Sequence, residues 1–214
     1  MKLNKLERYI VRHPARLWLQ KQLEQPLLLG LFNHNLPSVE HALEIGCGFG
    51  QGISLIREGF GAGTVTAVDL DDEMLKYCGA RYQQKSWLSL FQADATRLPF
   101  AANSFELVCD FAVFHHVPDW QAAVAEVFRV LRPGGAFVIE ELYRAAICNP
   151  LSRRLFEHPQ QNRFNHAELH DCLRANGFDI TNSRHLWGLA GVTLAIKPSG
   201  ICQRDYSAGV SAGV

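Results

Sequence analysis

The sequence has no excess charge: 21 Lys and Arg residues balance 21 Asp and Glu. That argues against a general nucleic-acid binder, which draws its affinity from a basic surplus. Long apolar runs are missing too. The only early one, Pro26 to Phe32, is too short to span a bilayer and has no small-residue cleavage site after it. Neither stable membrane insertion nor secretion is therefore expected. The six cysteines (Cys47, Cys78, Cys109, Cys148, Cys172 and Cys202) form no C-x-x-C pair. Their even spread fits neither a zinc site nor a small disulfide framework. Reduced, mostly buried thiols in a cytoplasmic protein are expected.

What is present is a core-forming composition, 48% hydrophobic and 20% charged over 214 residues, enough for one domain. The neutral total hides a pattern. Residues 1–41 carry six basic and three acidic side chains, residues 42–141 seven and thirteen, and residues 142–214 eight and five. An acidic middle of −6 thus lies between two flanks of +3.

Residues 3–32 read as helical, with Leu17, Leu23, Leu27, Leu28 and Leu31 roughly on one face and breaks at Pro14 and Pro26. From Val39 the pattern alternates. "HALEIGCGFGQG" is a strand running into glycines and "TVTAVDL" is a second strand. "DDEMLKYCGARYQ" is a helix with acids at its start. "WLSLFQAD" and "SFELVCDFAVF" are strands, and "DWQAAVAEVFRVLR" is an amphipathic helix stopped by Pro133, Gly134 and Gly135. "AFVIEELY" is a fifth strand. This rhythm predicts a parallel sheet with helices on both faces. A helix capped by Asn165 and stopped by Gly177 precedes two final strands. The Gly/Ser/Ala-rich stretch 198–214 is expected to be disordered.

The chemistry concentrates in "LEIGCGFGQG". A glycine turn between a strand and a helix lets a ligand approach the backbone and meet free N–H groups. The spacing is G-x-G-x-G-x-G, and Gln51 stands where a dinucleotide fingerprint needs its third glycine. That disfavours an NAD-dependent oxidoreductase, the main rival. Acids recur in step with the loop: Glu44 on the first strand, Asp69 ending the second and Asp94 ending the third. An acid at the end of the second strand can hold ribose hydroxyls.

These motifs, with "VDLDDEML", "ADATRLPFAANSFELVCDFAVFHHV" and "EVFRVLRPGGAFVIEE", span about residues 40–142. They resemble the class I S-adenosylmethionine-dependent methyltransferases of the type 11 kind, close to the ubiquinone/menaquinone-biosynthesis enzymes. The resemblance implies an α/β, Rossmann-like sandwich with a seven-stranded, mostly parallel sheet in the order 3-2-1-4-5-7-6, the last strand antiparallel. It implies S-adenosylmethionine as cofactor, S-adenosylhomocysteine as product, and a small-molecule methyl acceptor. Glu44 and the backbone of Gly46, Cys47 and Gly48 then face the methionine part. Asp69 meets the ribose and Leu70 lies beside the adenine. Asp94 meets the adenine amino group, with Ala95 lending its backbone. Phe111 lines the methionine end, and His116 lies near the methyl donor. An acid near Asp71 is common in the family, and "RPGG" is a turn before the fifth strand.

Methyl transfer is an in-line displacement that needs alignment and exclusion of water, and a base only where the acceptor must lose a proton. The missing Ser-His-Asp set is therefore no argument against an enzyme. His116 is the candidate base, whereas His115 is expected to pack inward. His166 and His170 have metal-compatible spacing but no third ligand, so no metal is expected. A helical lid over residues 1–38 and a substrate-covering insertion at 143–165 flank a methyltransferase domain over 39–197. Tyr9, Trp18, Phe32, Tyr143, Phe156 and Phe164 either line that pocket or pack the core. Arg153 or Arg154 could pair an acidic substrate group. A cofactor-binding protein without turnover is the further alternative, and the acceptor and the oligomeric state stay open.

Overall fold

The computed structural model describes residues 13–32, 38–83, 85–155 and 161–199. The N-terminal stretch holds α1 (Pro14–Leu19), a wide π-type turn (Gln20–Glu24), α2 (Gln25–Leu29) and a 3-10 turn (Gly30–Phe32). Pro26 sits at the start of α2, where its missing N–H is harmless. The ladder just upstream widens, as a proline in mid-helix would demand.

The chain then alternates as the sequence predicts. β1 (His41–Ile45) leads to α3 (Gln51–Ser54, extended as a π turn over Leu55–Gly59) and β2 (Thr64–Asp69). Next come α4 (Asp72–Tyr82), β3 (Leu88–Gln92), β4 (Phe105–Phe111) and α5 (Trp120–Val130). β5 (Leu131–Leu142), α6 (Arg144–Ile147), α7 (Pro150–Leu155) and α8 (His166–Ala175) follow. β6 (Asp179–Leu186) and β7 (Ala190–Ile196) close the domain. The seven strands lie in the order β3-β2-β1-β4-β5-β7-β6. β7 runs antiparallel to both neighbours and the other pairings are parallel.

Both faces of the sheet are covered. One packs Leu107, Cys109 and Val138 against Leu28, Leu31, Ile53 and Ile56. The other packs Leu43, Val108, Phe137 and Ile139 against α5 and α8. α5 buries Trp120, Ala123, Val124, Val127 and Val130, a helical stripe read directly from the sequence period. Asp119 caps it by accepting from Ala122 N at 3.2 Å. α8 carries a full capping box between Asn165 and Glu168, and Gly177 (φ +94°) turns the chain out.

One expectation shifts. The fifth strand begins at Leu131, directly after α5, so "RPGG" lies inside it. Leu131 pairs with Phe105 and Ala136 with Leu107, and residues 132–135 bulge out opposite Glu106. Of the two readings of the aromatics in residues 143–165, core packing holds for Tyr143 and Phe164. Tyr143 is fully buried, and Phe164 is buried between Trp120 (ring centroids 4.7 Å) and Tyr143 (6.3 Å). Phe32 is buried against Phe60, whereas Trp18 is exposed. Tyr9, Phe156 and the stretch 200–214 lie outside the described residues.

Candidate functional site

Strand order reverses between β1 and β4, and the connections leave toward opposite sides there, opening a crevice at the carboxyl edge of the sheet. A cavity of about 470 Å³ fills it. All ten residues singled out from the sequence line it: Glu44, Gly46, Cys47, Gly48, Asp69, Leu70, Asp94, Ala95, Phe111 and His116.

The glycine loop forms the floor. Gly46, Gly48 and Gly50 all have positive φ, at +68°, +49° and +77°. A Cβ at Gly46 would collide with Val113, and one at Gly50 would crowd Tyr82 and Cys78. At Gly48 a Cβ would meet nothing within 4 Å, so there the backbone is bare toward open space. Gly52 serves a different end: a Cβ would run into Glu44 Oε1 and the Phe111 ring. It lets α3 pack onto the acid beneath it.

Glu44 is buried, and its Oε2 has no hydrogen-bond partner among the described residues. Burial, reinforced by Cys78 and Asp69, raises its pKa well above the ordinary carboxylate range. Asp69 ends β2 with both oxygens engaged. Oδ2 accepts from Gly48 N and Oδ1 from Asp71 N, each at 2.8 Å. Burial raises its pKa, and those two backbone bonds oppose the rise. Asp71 caps α4 by accepting from Glu73 N at 3.1 Å, the concrete role of the acid whose purpose was open. Asp94 accepts from Thr96 N and Oγ1, both at 2.8 Å, holding the turn after β3. Leu70 is exposed and Ala95 is buried beside them.

The opposite wall follows β4. Ala112, in the left-handed region at φ +62°, donates its N–H to Glu140 O at 2.6 Å and swings the chain into the 3-10 turn Phe114–His116. This turn divides the two histidines. His116 lines the cavity, while His115 is buried with Nδ1 2.7 Å from Glu141 Oε2. The inward packing of His115 is as expected, but its partner is a carboxylate. Glu141 also accepts from Phe114 N at 2.5 Å and Leu142 N at 3.0 Å. Asp110 lies fully buried nearby, its pKa raised well above normal by burial and then by the Glu141 charge. Arg163 is buried as well and donates Nη1 to His115 O and Nη2 to Val117 O, strapping the turn.

Sequence reasoning missed Asp110, Glu140, Glu141 and Arg163. A signal existed for the acids: each interrupts an apolar strand, in "LVCDF" and "FVIEEL", and a charge at a position the sheet must bury needs a partner. Of the arginines proposed for substrate pairing, Arg154 is exposed and Arg153's side chain lies outside the description. Arg16 of α1 reaches the cavity instead, paired to Glu24 at 2.8 Å. His166 and His170 stack at 3.9 Å between ring centroids, away from the cavity. Among the described residues no three His, Cys, Asp or Glu side chains could hold a metal together, and no helix is long and apolar enough to cross a membrane.

Residues 43–139 match the methyltransferase domain family. This segment is a class I S-adenosylmethionine-dependent methyltransferase domain. The fatty-acid O-methyltransferase of Mycolicibacterium smegmatis is 36% identical over 99 residues, covering 46% of this chain and 36% of that protein. The phthiotriol/phenolphthiotriol dimycocerosates methyltransferase of Mycobacterium tuberculosis is 35% identical over 103 residues, covering 48% of this chain and 38% of that one. The aligned methyltransferase domain thus spans well under half the length of these relatives. The structure of an S-adenosylmethionine-dependent methyltransferase from Mesorhizobium loti superposes with a TM-score of 0.68 at 19% identity, covering 83% of this chain and 99% of that one. That likeness concerns the fold. The family match favours a sulfonium donor over the nicotinamide reading.

Proposed function

We propose that this chain binds S-adenosylmethionine in the β1–β4 crevice and methylates an apolar, lipid-like small molecule. The observation that carries the first half is Glu44: a buried acid with an unpartnered oxygen, beside a glycine loop whose Gly48 backbone lies open. An arriving ammonium group would satisfy Oε2 and favour the ionised form of Glu44 against its burial. When bound, the cofactor supplies an electrophilic methyl group on a sulfonium sulfur. Asp69 keeps the loop in shape through Gly48 N and presents its carboxylate edge to the ribose hydroxyls. Leu70 and Ala95 flank the adenine, Asp94 meets its amino group, and Phe111 closes the methionine end. His116, on the opposite wall, takes the acceptor's proton at an imidazole nitrogen where the acceptor has one to lose. Residues 13–32, with Arg16 at the cavity, act as the lid that excludes water.

The acceptor class is supported by the lipid names of the relatives. An apolar rim adds support: Leu142, Leu186, Trp187 and Leu189 are exposed on the same carboxyl edge of the sheet, Trp187 by 86%. Calorimetric titration with S-adenosylmethionine and with NAD, followed by product analysis across fatty-acid and other apolar acceptors, tests the reading. The expected result is binding of the first ligand only, at least tenfold weaker in Glu44→Gln, with methylated product from an apolar acceptor. Binding of NAD alone overturns it, and cofactor binding without product from any acceptor reduces the chain to a binding protein.

A further inference from the structure

Cys47 sits in the glycine loop and lines the cavity; Cys78 sits on α4 beneath it. Their sulfurs are 3.8 Å apart, 31 residues apart in sequence, with both side chains buried. The Cys78 thiol also donates to Gly48 O at 3.2 Å, so α4 already grips the loop that the cofactor would meet. We propose that Cys47 and Cys78 form a reversible disulfide that shuts the cofactor site, and that a bound cofactor shields the pair from oxidation. The proposal rests on the cofactor reading above for its consequence, though not for the bond itself.

The surroundings divide the two thiols by role. The hydrogen bond from Cys47 holds the Cys78 thiol below its ordinary pKa, against its burial, with Arg81 adding to the effect. The Cys47 thiol is pushed up by that same bond and by burial. Cys47 lines the cavity and Cys78 does not, so Cys47 is the thiol an oxidant reaches and Cys78 the one that resolves it. A small hydroperoxide entering the cavity meets Cys47. As the Cys47 sulfur attacks the hydroperoxide, the O–O bond breaks, the thiol proton passes to the departing oxygen, which leaves as the alcohol, and Cys47 becomes a sulfenic acid. The Cys78 sulfur then displaces the sulfenic oxygen as water and the S–S bond forms. Two thiols are oxidised, and one hydroperoxide is reduced to an alcohol and water.

Closing the sulfurs to about 2.0 Å pulls the loop toward α4, against which Gly50 is already tightly packed. Gly50 already lies so close to Cys78 that a Cβ there would be 3.0 Å from its sulfur. The bare Gly48 backbone turns with the loop and the cradle closes. Linkage requires the converse: a ligand that prefers the open loop opposes the bond.

The test uses the full chain, reduced and then exposed to dilute hydrogen peroxide. Peptide mass mapping should find a Cys47–Cys78 cross-link two hydrogens lighter than the thiols, removed by dithiothreitol. S-adenosylmethionine should slow its appearance severalfold. Calorimetry should show cofactor affinity at least tenfold weaker after oxidation and restored by reduction, while Cys78→Ala keeps its affinity through the same treatment. Absence of that cross-link, unchanged affinity in the cross-linked protein, or equal loss in Cys78→Ala overturns the proposal. If the reduced protein does not bind the cofactor, the cofactor reading fails and the cross-link map alone decides the thiol pair.

Discussion

The two sides of the crevice handle acid in opposite ways. On the β1–β2 side the carboxylates meet backbone at the edge of open space: Asp69 holds Gly48 N and Asp71 N, and Asp94 holds Thr96. On the β4–β5 side they also meet side chains: buried Glu141 with His115, buried Asp110 beside Glu141, and half-buried Glu140 beside Glu24 and Arg16. The first arrangement shapes a surface for a ligand. The second fixes the turn that presents His116, through the bonds of Glu141 to His115 and to Phe114 N. Binding and stability should therefore separate between the walls.

The largest effect is expected from Glu140→Gln at alkaline pH. Burial, then the Glu24 charge, push the Glu140 pKa up to about 8, and Arg16 opposes them. The folded protein thus keeps a proton that the unfolded chain releases above about 4.5. Its stability falls as pH rises through that window, by at most about 1.4 kcal/mol per pH unit, and levels off above about 8. Glu140→Gln removes that slope, so denaturant melts of variant and wild type should coincide near pH 4 and diverge by pH 8. Parallel curves would show that the β4–β5 side does not hold its acid in this way.

His115→Ala should come next, costing about 3 kcal/mol of stability because Glu141 loses its buried partner. Cofactor affinity, measured on the folded protein, should change little. A loss of binding as large as the loss of stability would erase the distinction between the walls. Asp69→Ala should show the reverse, with affinity down by about tenfold, or 1.4 kcal/mol, and a small change in melting. Unchanged affinity would remove the ribose assignment. The smallest expected effect is Asn165→Ala, about 1 kcal/mol from a lost cap. It should move neither the pH slope nor the affinity, since Asn165 does not line the cavity and its side chain caps α8.

Legibility follows the same division. The β1–β2 side was readable because its demands are local. Gly46, Gly48 and Gly50 take left-handed turns that few other residues allow, and Asp69 and Asp94 stand at strand ends, a place set by period and punctuation. The β4–β5 side was not, since its partners are distant in sequence: His115 finds Glu141 26 residues away and Arg163 reaches back 48 to His115. Tyr143 and Phe164 stayed open between pocket and core in the sequence, because aromatic character does not say which face a loop turns inward.

The sequence by itself determined the alternation of strands and helices, their caps, the glycine loop and the acids in step with it, because each rests on the backbone preferences of a few neighbouring residues. Only the tertiary structure decided that His115 meets Glu141, that Glu44 is buried with an oxygen unanswered, and that Cys47 and Cys78 meet. Each of these depends on which elements pack together at the reversal of strand order, and the physics of burial acts there on pairs that the chain keeps far apart.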